Sequence, residues 1–468
     1  MNASFAVSLL LATSLFTSPG WAAPSEGDAP AMSAAALRAH VDFLASDALQ
    51  GRRAGSVGEY QAAKYLVGKF RAAGLQPVSE SQGWLQDIGV RGHKVGGLRA
   101  ALHSEAGELE LVYGQDLRAI QMAPVSGRFD IVVATSADDL PTPSSERVLL
   151  LAGADPGASW RLATELPQGG EGWAALLLAY GDEPGEAAPL PDFVGSEAGA
   201  SARFWLRGGA LEAVRSKRAT SLELNVMLDA GRAASNVLAV LPAAESTDEW
   251  VVVSAHYDHI GTRPFDATQP DADLVFNGAN DNAAGVAVML EWARVLGAAE
   301  ERPRRNLLFA ALTAEEMGLV GSRYLAANCP VPLEKIVAVL NLEMLGEPDP
   351  VLEDGAEMFL TGGELSSLRA MLAEVVPVVD DPRPRLNLFR RSDNYPFAER
   401  GVIAHTLSSG GANENYHKVG DEADTLDYEH MERCALSGLK GLQLLLTSDT
   451  TPTWIEDDDE SASDSESR

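Results

Sequence analysis

The sequence predicts an α/β fold with a β-rich segment set into it, and three observations carry that expectation. Within residues 251–346, four apolar runs each end in His, Asp or Glu close to a glycine: 251–261, 277–285, 307–318 and 339–346. Apolar runs of that length, rich in small residues, read as buried parallel strands, and ligands collect beyond the carboxyl ends of such strands. The four polar clusters should therefore meet at one edge of one sheet. Helical periodicity frames these runs on both sides. Between the leading helices and the runs, residues 92–232 change texture to short β-like stretches separated by Pro- and Gly-rich loops.

Taken in order, residues 1–23 hold a short apolar core followed by small residues after Pro19. This pattern is that of an export signal cut near Ala22 or Ala23, which predicts a periplasmic or secreted protein. Helices are expected over 34–45, with Leu37, Val41, Phe43 and Leu44 largely on one side, and over 60–73, where Gly74 is the stop signal. The Gly-rich turn between them carries Arg52 and Arg53, for which a solvated or capping role is expected. Inside 92–232, strands are expected near 109–113, 130–134, 148–152, 174–179 and 221–226, with His93 and His103 on the surface or in loops. A strand at 234–241 resumes the first domain, and helices follow at 286–296, 318–327, 368–375 and 428–446. The expected division is 32–91 plus 233–450 for the main domain, 92–232 for the insert and 451–468 for a disordered acidic tail.

The chain has 468 residues, 46% of them hydrophobic, and a net charge of −31. That acidic surface argues against nucleic acid and anionic membranes as partners. No run beyond the signal reaches the length of a membrane span. Cys329 and Cys434 are the two cysteines; they allow one disulfide in an exported protein or two free thiols, and the chemistry needs neither.

Each polar cluster alone has an ordinary structural explanation. A His at a strand end is usually hydrogen-bonded structure, and Asp281 before Asn-Ala-Ala-Gly has the look of a helix N-cap. Thr313 and Glu316 have the spacing of a capping box. In combination the clusters point to a metal. Neutral imidazole plus carboxylate suits zinc, and a further His stands downstream at His417 in Asn415-Tyr416-His417-Lys418.

With His256-Tyr-Asp258, Asp281-Asn-Ala-Ala-Gly285, Glu315-Glu316-Met-Gly318, Glu343-Met-Leu-Gly346 and His417 in hand, the chain resembles the two-zinc aminopeptidases that group with aminopeptidase Y, the Vibrio and Streptomyces leucyl aminopeptidases and glutamate carboxypeptidase. The likeness covers about 32–86 and 234–446. It implies a three-layer αβα domain with a central mixed, mostly parallel sheet. It implies two Zn2+ per chain, with Asp281 bridging, His256 and Glu343 completing one metal, and Glu316 and His417 the other. Glu315 would be the general base, and Asp258 would fix the ring of His256. A cis peptide between Asp281 and Asn282 is also implied. The insert resembles a protease-associated domain. Two positions depart from the family: Glu343 stands where Asp is frequent, and Asn394 follows Ser392-Asp393 where His is usual.

The function this implies is an exported metallo-aminopeptidase acting on peptides with a free N-terminus. A carboxypeptidase or a glutaminyl cyclase-like enzyme on the same site is the alternative, with Arg390 and Arg391 as candidate readers of a terminal carboxylate. A non-catalytic ectodomain would have lost ligands, and none is missing.

Overall fold

The computed structural model describes residues 32–455 except 80, 165, 167–171, 186–192, 198–200, 230, 264–271, 353–354 and 412. The expected export signal and residues 456–468 of the tail lie outside the described residues.

The chain starts with α1 (Ala34–Leu44) and α2 (Val57–Ala72). Ser33 and Ser56 cap them by accepting from the amides of Ala36 and Glu59. The turn between the helices needs positive φ at Gln50, Gly51 and Arg52. Gly51 has no alternative there, because a Cβ would sit 2.3 Å from the carbonyl oxygen of Gly261 and 2.5 Å from that of Phe276. The turn drives Arg52 inward, where it is 1% exposed rather than solvated. Its guanidinium donates to the carbonyls of Tyr257 at 2.8 Å, Asn277 at 2.7 Å, Gly278 at 3.0 Å and also Leu44. A guanidinium has five donors, and four buried carbonyls from three segments use them better than water would.

The main sheet is built from β1 (Leu85–Ser104), β2 (Arg232–Leu241), β3 (Trp250–His256), β4 (Asn306–Leu312), β5 (Ile336–Glu343), β6 (Met358–Leu360), β7 (Val378–Asp380) and β8 (Ala404–Ser408). Their order is β7-β6-β8-β5-β3-β4-β2-β1. The central pairs β4–β3, β3–β5 and β5–β8 are parallel, as is β6–β7, while β2 and β1 add antiparallel edges. The sheet is mixed and mostly parallel at its centre, as the apolar runs predict. One face is covered by α1, α2, α3 (Gly285–Ala298) and α5 (Tyr428–Thr447), which bury Trp292, Phe70 and Leu442. The other face carries α4 (Val320–Ala327) and Phe397 of a short helix.

The insert has its own apolar cores, yet the expected boundary at 91/92 falls inside a strand. The first half of β1 pairs with β2, and its second half pairs with the Ser221–Leu228 strand. A register shift between Val95 and Gly97 marks the change of partner, so one sheet continues into the other. His93 and His103 lie on this strand rather than in loops; His93 is buried, with Nδ1 2.9 Å from the carbonyl oxygen of Asp229.

The tail begins later than expected. Residues 451–455 pack onto the domain: Trp454 stands against Phe389 and His405, and its Nε1 donates to the carbonyl of Gly401 at 3.0 Å. An indole and Ile455 offer apolar surface that the acidic residues after them lack. Both cysteines are free; Cys434 is buried and Cys329 half-buried.

Candidate metal centre

The strand ends place the polar clusters. β3 delivers His256 opposite Leu312, the last residue of β4, so the turn 313–319 starts beside the His256 ring. In that turn Ala314 takes φ 55° and Leu319 φ 61°, and the chain folds back on itself. The turn resolves the problem of two adjacent glutamates. Glu315 faces His256, Glu343 and Asp393, whereas Glu316 faces Asp281, His259 and His417. Thr313 is not part of a capping box; its hydroxyl donates to Glu59 at 3.0 Å.

Asp281 sits in an irregular turn, Ala279–Ala284, ahead of α3, and the Asp281–Asn282 peptide is cis, as the resemblance implies. Asp421 holds the turn by accepting from the amides of Asn280 at 2.8 Å and Asp281 at 3.0 Å. Asn280 and Asn282 tie it to the end of β5 through the amides of Gly346 and Met344. The sequence alone gave Asp421 and these asparagines no role, since Asx side chains that brace a loop look like any turn residue.

The expected residues gather. The Nε2 atoms of His256 and His417 each lie 3.2 Å from one oxygen of Asp281, and His417 Nε2 is also 3.2 Å from Glu316. Glu343 ends β5 beside them, with Ser392 Oγ donating to it. Asn341 in turn donates to Ser392 at 2.7 Å and accepts from Ser254 at 2.9 Å. A chain of buried hydroxyls and amides thus stands behind the longer glutamate side chain. Asn394 joins it by accepting from Thr406 at 2.8 Å and is fully buried, so it braces the wall rather than facing the cavity. Asp258 departs from its expected contact. Its carboxylate is 3.9 Å from His256 Nδ1 and accepts instead from the amide of Glu315 at 3.1 Å, while its carbonyl oxygen is 3.3 Å from that ring nitrogen.

One residue that the sequence reading left without a role belongs to the cluster. Among the described residues, His259, Asp281 and Glu316 offer donor atoms that all lie within 4.8 Å of one another.

Charge follows burial and neighbours. Burial pushes the Glu315 carboxyl well above its ordinary range, with the carboxylates of Asp393 and Glu343 adding to it. Burial likewise takes Glu343 to about 7 and Asp258 to about 8. Asp281 is held well below its ordinary range in spite of burial, because the rings of His256 and His417 lie beside it. His417 is pushed up to about 10 by Asp281 and Glu316.

A divalent cation fits this donor set. His256 Nε2, both nitrogens of His259 and Glu316 Oε1 are buried without a hydrogen-bond partner. Buried polar atoms in folded proteins are nearly always satisfied, and imidazoles with carboxylates aimed at one region are satisfied together by zinc.

Parallel strands that deliver imidazoles and carboxylates to one edge define an α/β architecture with a candidate metal centre at the carboxyl ends of its strands. Residues 236–440 match the profile of peptidase family M28. A protein of Pyrenophora tritici-repentis described as "Probable zinc metalloprotease" is 36% identical over 266 residues, 47% of this chain and 59% of that protein. Leupeptin-inactivating enzyme 1 of Streptomyces exfoliatus is 32% identical over 157 residues, 32% of this chain and 33% of that enzyme. The chain thus spans about half the length, or less, of the curated relatives it matches. The fold is shared with solved structures. An aminopeptidase from Aneurinibacillus sp. strain AM-1 superposes with TM-score 0.54 at 19% identity, over 90% of this chain and 95% of the other. A zinc aminopeptidase from Bacillus subtilis gives 0.53 at 17%, over 90% and 96%.

Proposed function

We propose that the chain is an exported two-zinc metallo-aminopeptidase that removes N-terminal residues from peptides. The observation that carries this reading is the convergence of unsatisfied imidazole and carboxylate donors on one region, with Glu315 beside it. His256, Asp281 and Glu343 would hold one metal, and Asp281, Glu316 and His417 the other. Bound zinc supplies Lewis-acid polarisation of a carbonyl and a lower pKa for water.

The side chains supply the proton transfers and the positioning. Glu315 takes a proton from the attacking water as its oxygen bonds to the scissile carbonyl carbon. It returns that proton to the amine nitrogen as the C–N bond breaks. A carboxyl whose proton affinity burial has raised serves both steps, and Asp258 fixes the backbone amide that aims it. Glu315 and Glu343 are acceptors for the free amine of the substrate. Next to Glu343 opens a cavity walled by Met344, Phe359, Leu388 and Tyr416. Its apolar walls suit a large apolar first residue.

Arg391 on the rim of the same cavity is the one observation that favours a carboxyl-end reading. Leucyl and phenylalanyl anilides should be cleaved, and their N-acetylated forms should react more than about tenfold slower, since a charge-assisted contact is worth roughly 1.5–3 kcal/mol. Amidating the carboxyl end of a short peptide should change little. Harmless acetylation together with inhibitory amidation would transfer the assignment to a carboxypeptidase. N-terminal sequencing of the mature protein tests export, with a start just after Ala22 or Ala23 expected.

A further inference from the structure

We propose that His259 is a third imidazole of the metal centre, a ligand through Nδ1 to the metal held by Glu316. The inference rests on the metal-dependent reading above and extends it to a residue outside the five-residue set.

Four observations on the His259 ring point the same way. First, it is 1% exposed, in a position where an unpaired imidazole is costly. Neither ring nitrogen has a hydrogen-bond partner. Second, Nδ1 lies 2.7 Å from Glu316 Oε1, yet that oxygen is also without a hydrogen bond. Both atoms, together with an oxygen of Asp281, lie within reach of one another as donors, and one cation among them would satisfy both at once.

Third, Glu316 is flanked on both sides. His259 stands at Oε1, and His417 Nε2 is 3.2 Å from Oε2. The two rings are edge to face, 5.9 Å between centroids. Of the two, His259 is the enclosed one, while the His417 side chain is 38% exposed. Fourth, the protein has made room for this ring. Gly278 has φ +57°, and a Cβ there would lie 2.5–2.6 Å from two carbons of the His259 ring. The carbonyl of Gly278 is held by buried Arg52, and the amide of His259 donates to the carbonyl of Arg52 at 3.4 Å. Arg52 thus fixes the ring's own backbone through its carbonyl and the glycine beneath it through its guanidinium.

The position built on Glu316 is therefore richer in nitrogen than the one built on Glu343. Its metal should be the harder of the two to remove.

The test uses the full mature chain, stripped of metal and titrated with zinc or cobalt(II) against a chromophoric chelator. Wild type is expected to bind two ions; fewer than two would overturn the two-metal reading itself, whatever His259 does. His259→Ala and His259→Gln are expected to keep one site unchanged and to weaken the other by more than about 100-fold. The visible cobalt(II) absorption of that site should change, because a nitrogen donor is lost. Loss of an outer partner typically costs roughly 10–100-fold. A weakening within that range with an unchanged cobalt spectrum would make His259 a positioning residue and overturn the ligand assignment. Two tight sites in both variants would overturn it as well. A measurement without substitution guards against misfolded variants. In wild type carrying 15N-labelled histidine, zinc should move the His259 Nδ1 resonance into the metal-bound range, and an Nδ1 left in the N–H range would refute the proposal.

Discussion

Glu59 is one turn into α2 and nowhere near the cavity, yet it controls how β3 ends. Its carboxylate accepts from the Tyr257 hydroxyl at 2.5 Å, from Thr313 Oγ1 at 3.0 Å and from the amide of Ser235 at 3.4 Å. Tyr257 stands between His256 and Asp258, so this carboxyl clamps the strand end that carries both. It is 1% exposed, and burial raises its pKa from 4.5 to about 7, against the pull of those hydrogen bonds. The sign follows from linkage. A carboxyl raised in the fold favours folding while protonated, so its contribution is complete below pH 4.5 and is lost as pH rises through about 7. At ~1.36 kcal/mol per pH unit, the rise from 4.5 to about 7 weakens the fold by about 3 kcal/mol above pH 8. Glu59→Gln keeps an acceptor for Tyr257 and Thr313 and cannot ionise. Urea unfolding followed by circular dichroism, at pH 5 and at pH 8 with zinc present, should show the variant gaining about 2.5 kcal/mol on wild type between the two. Subtracting the two proteins cancels the titration of every other group. A gain under about 1 kcal/mol would mean that Glu59 stays ionised throughout, and the clamp would then be an ionic contact.

Other substitutions probe the remaining links. Glu315→Gln should lower kcat by about 10²–10⁴-fold with two zinc ions retained, measured by anilide hydrolysis and elemental analysis; loss of zinc would make Glu315 a ligand. Arg52→Leu should destabilise by at least about 3 kcal/mol in the same unfolding assay, because it orphans buried carbonyls at Leu44, Tyr257, Asn277 and Gly278. A surface arginine would give a change near zero. Trp454→Ala should cost roughly 1–2 kcal/mol, while a stop codon after Ile455 should cost nothing, which separates the docked segment from the acidic end.

The sequence by itself determined the class of fold and the residues that meet. Apolar runs long enough to be buried strands, each ending in His, Asp or Glu, bring their ends to one sheet edge whatever the loops do, because parallel strands share a direction. That is why His256, Glu316 and Glu343 were legible in the sequence, and why His417 followed from the need for another nitrogen, whereas the 277–285 run is no strand and places Asp281 in the irregular turn Ala279–Ala284. Tertiary structure decided what depends on approach from distant segments. Arg52 read as a solvated or capping residue because nothing local shows four carbonyls from 44, 257, 277 and 278 closing over it. The same blindness hid His259. Three residues past a ligand, it reads as loop, and only the placement of Glu316, Gly278 and Arg52 turns it toward the metal centre. The separate roles of Glu315 and Glu316 required the backbone reversal at Ala314. The insert's boundary was likewise invisible, because a strand that changes partners at a bulge carries one uninterrupted β pattern. Pattern along the chain fixes which faces are buried; which charged group meets which is a matter of contacts between residues hundreds of positions apart.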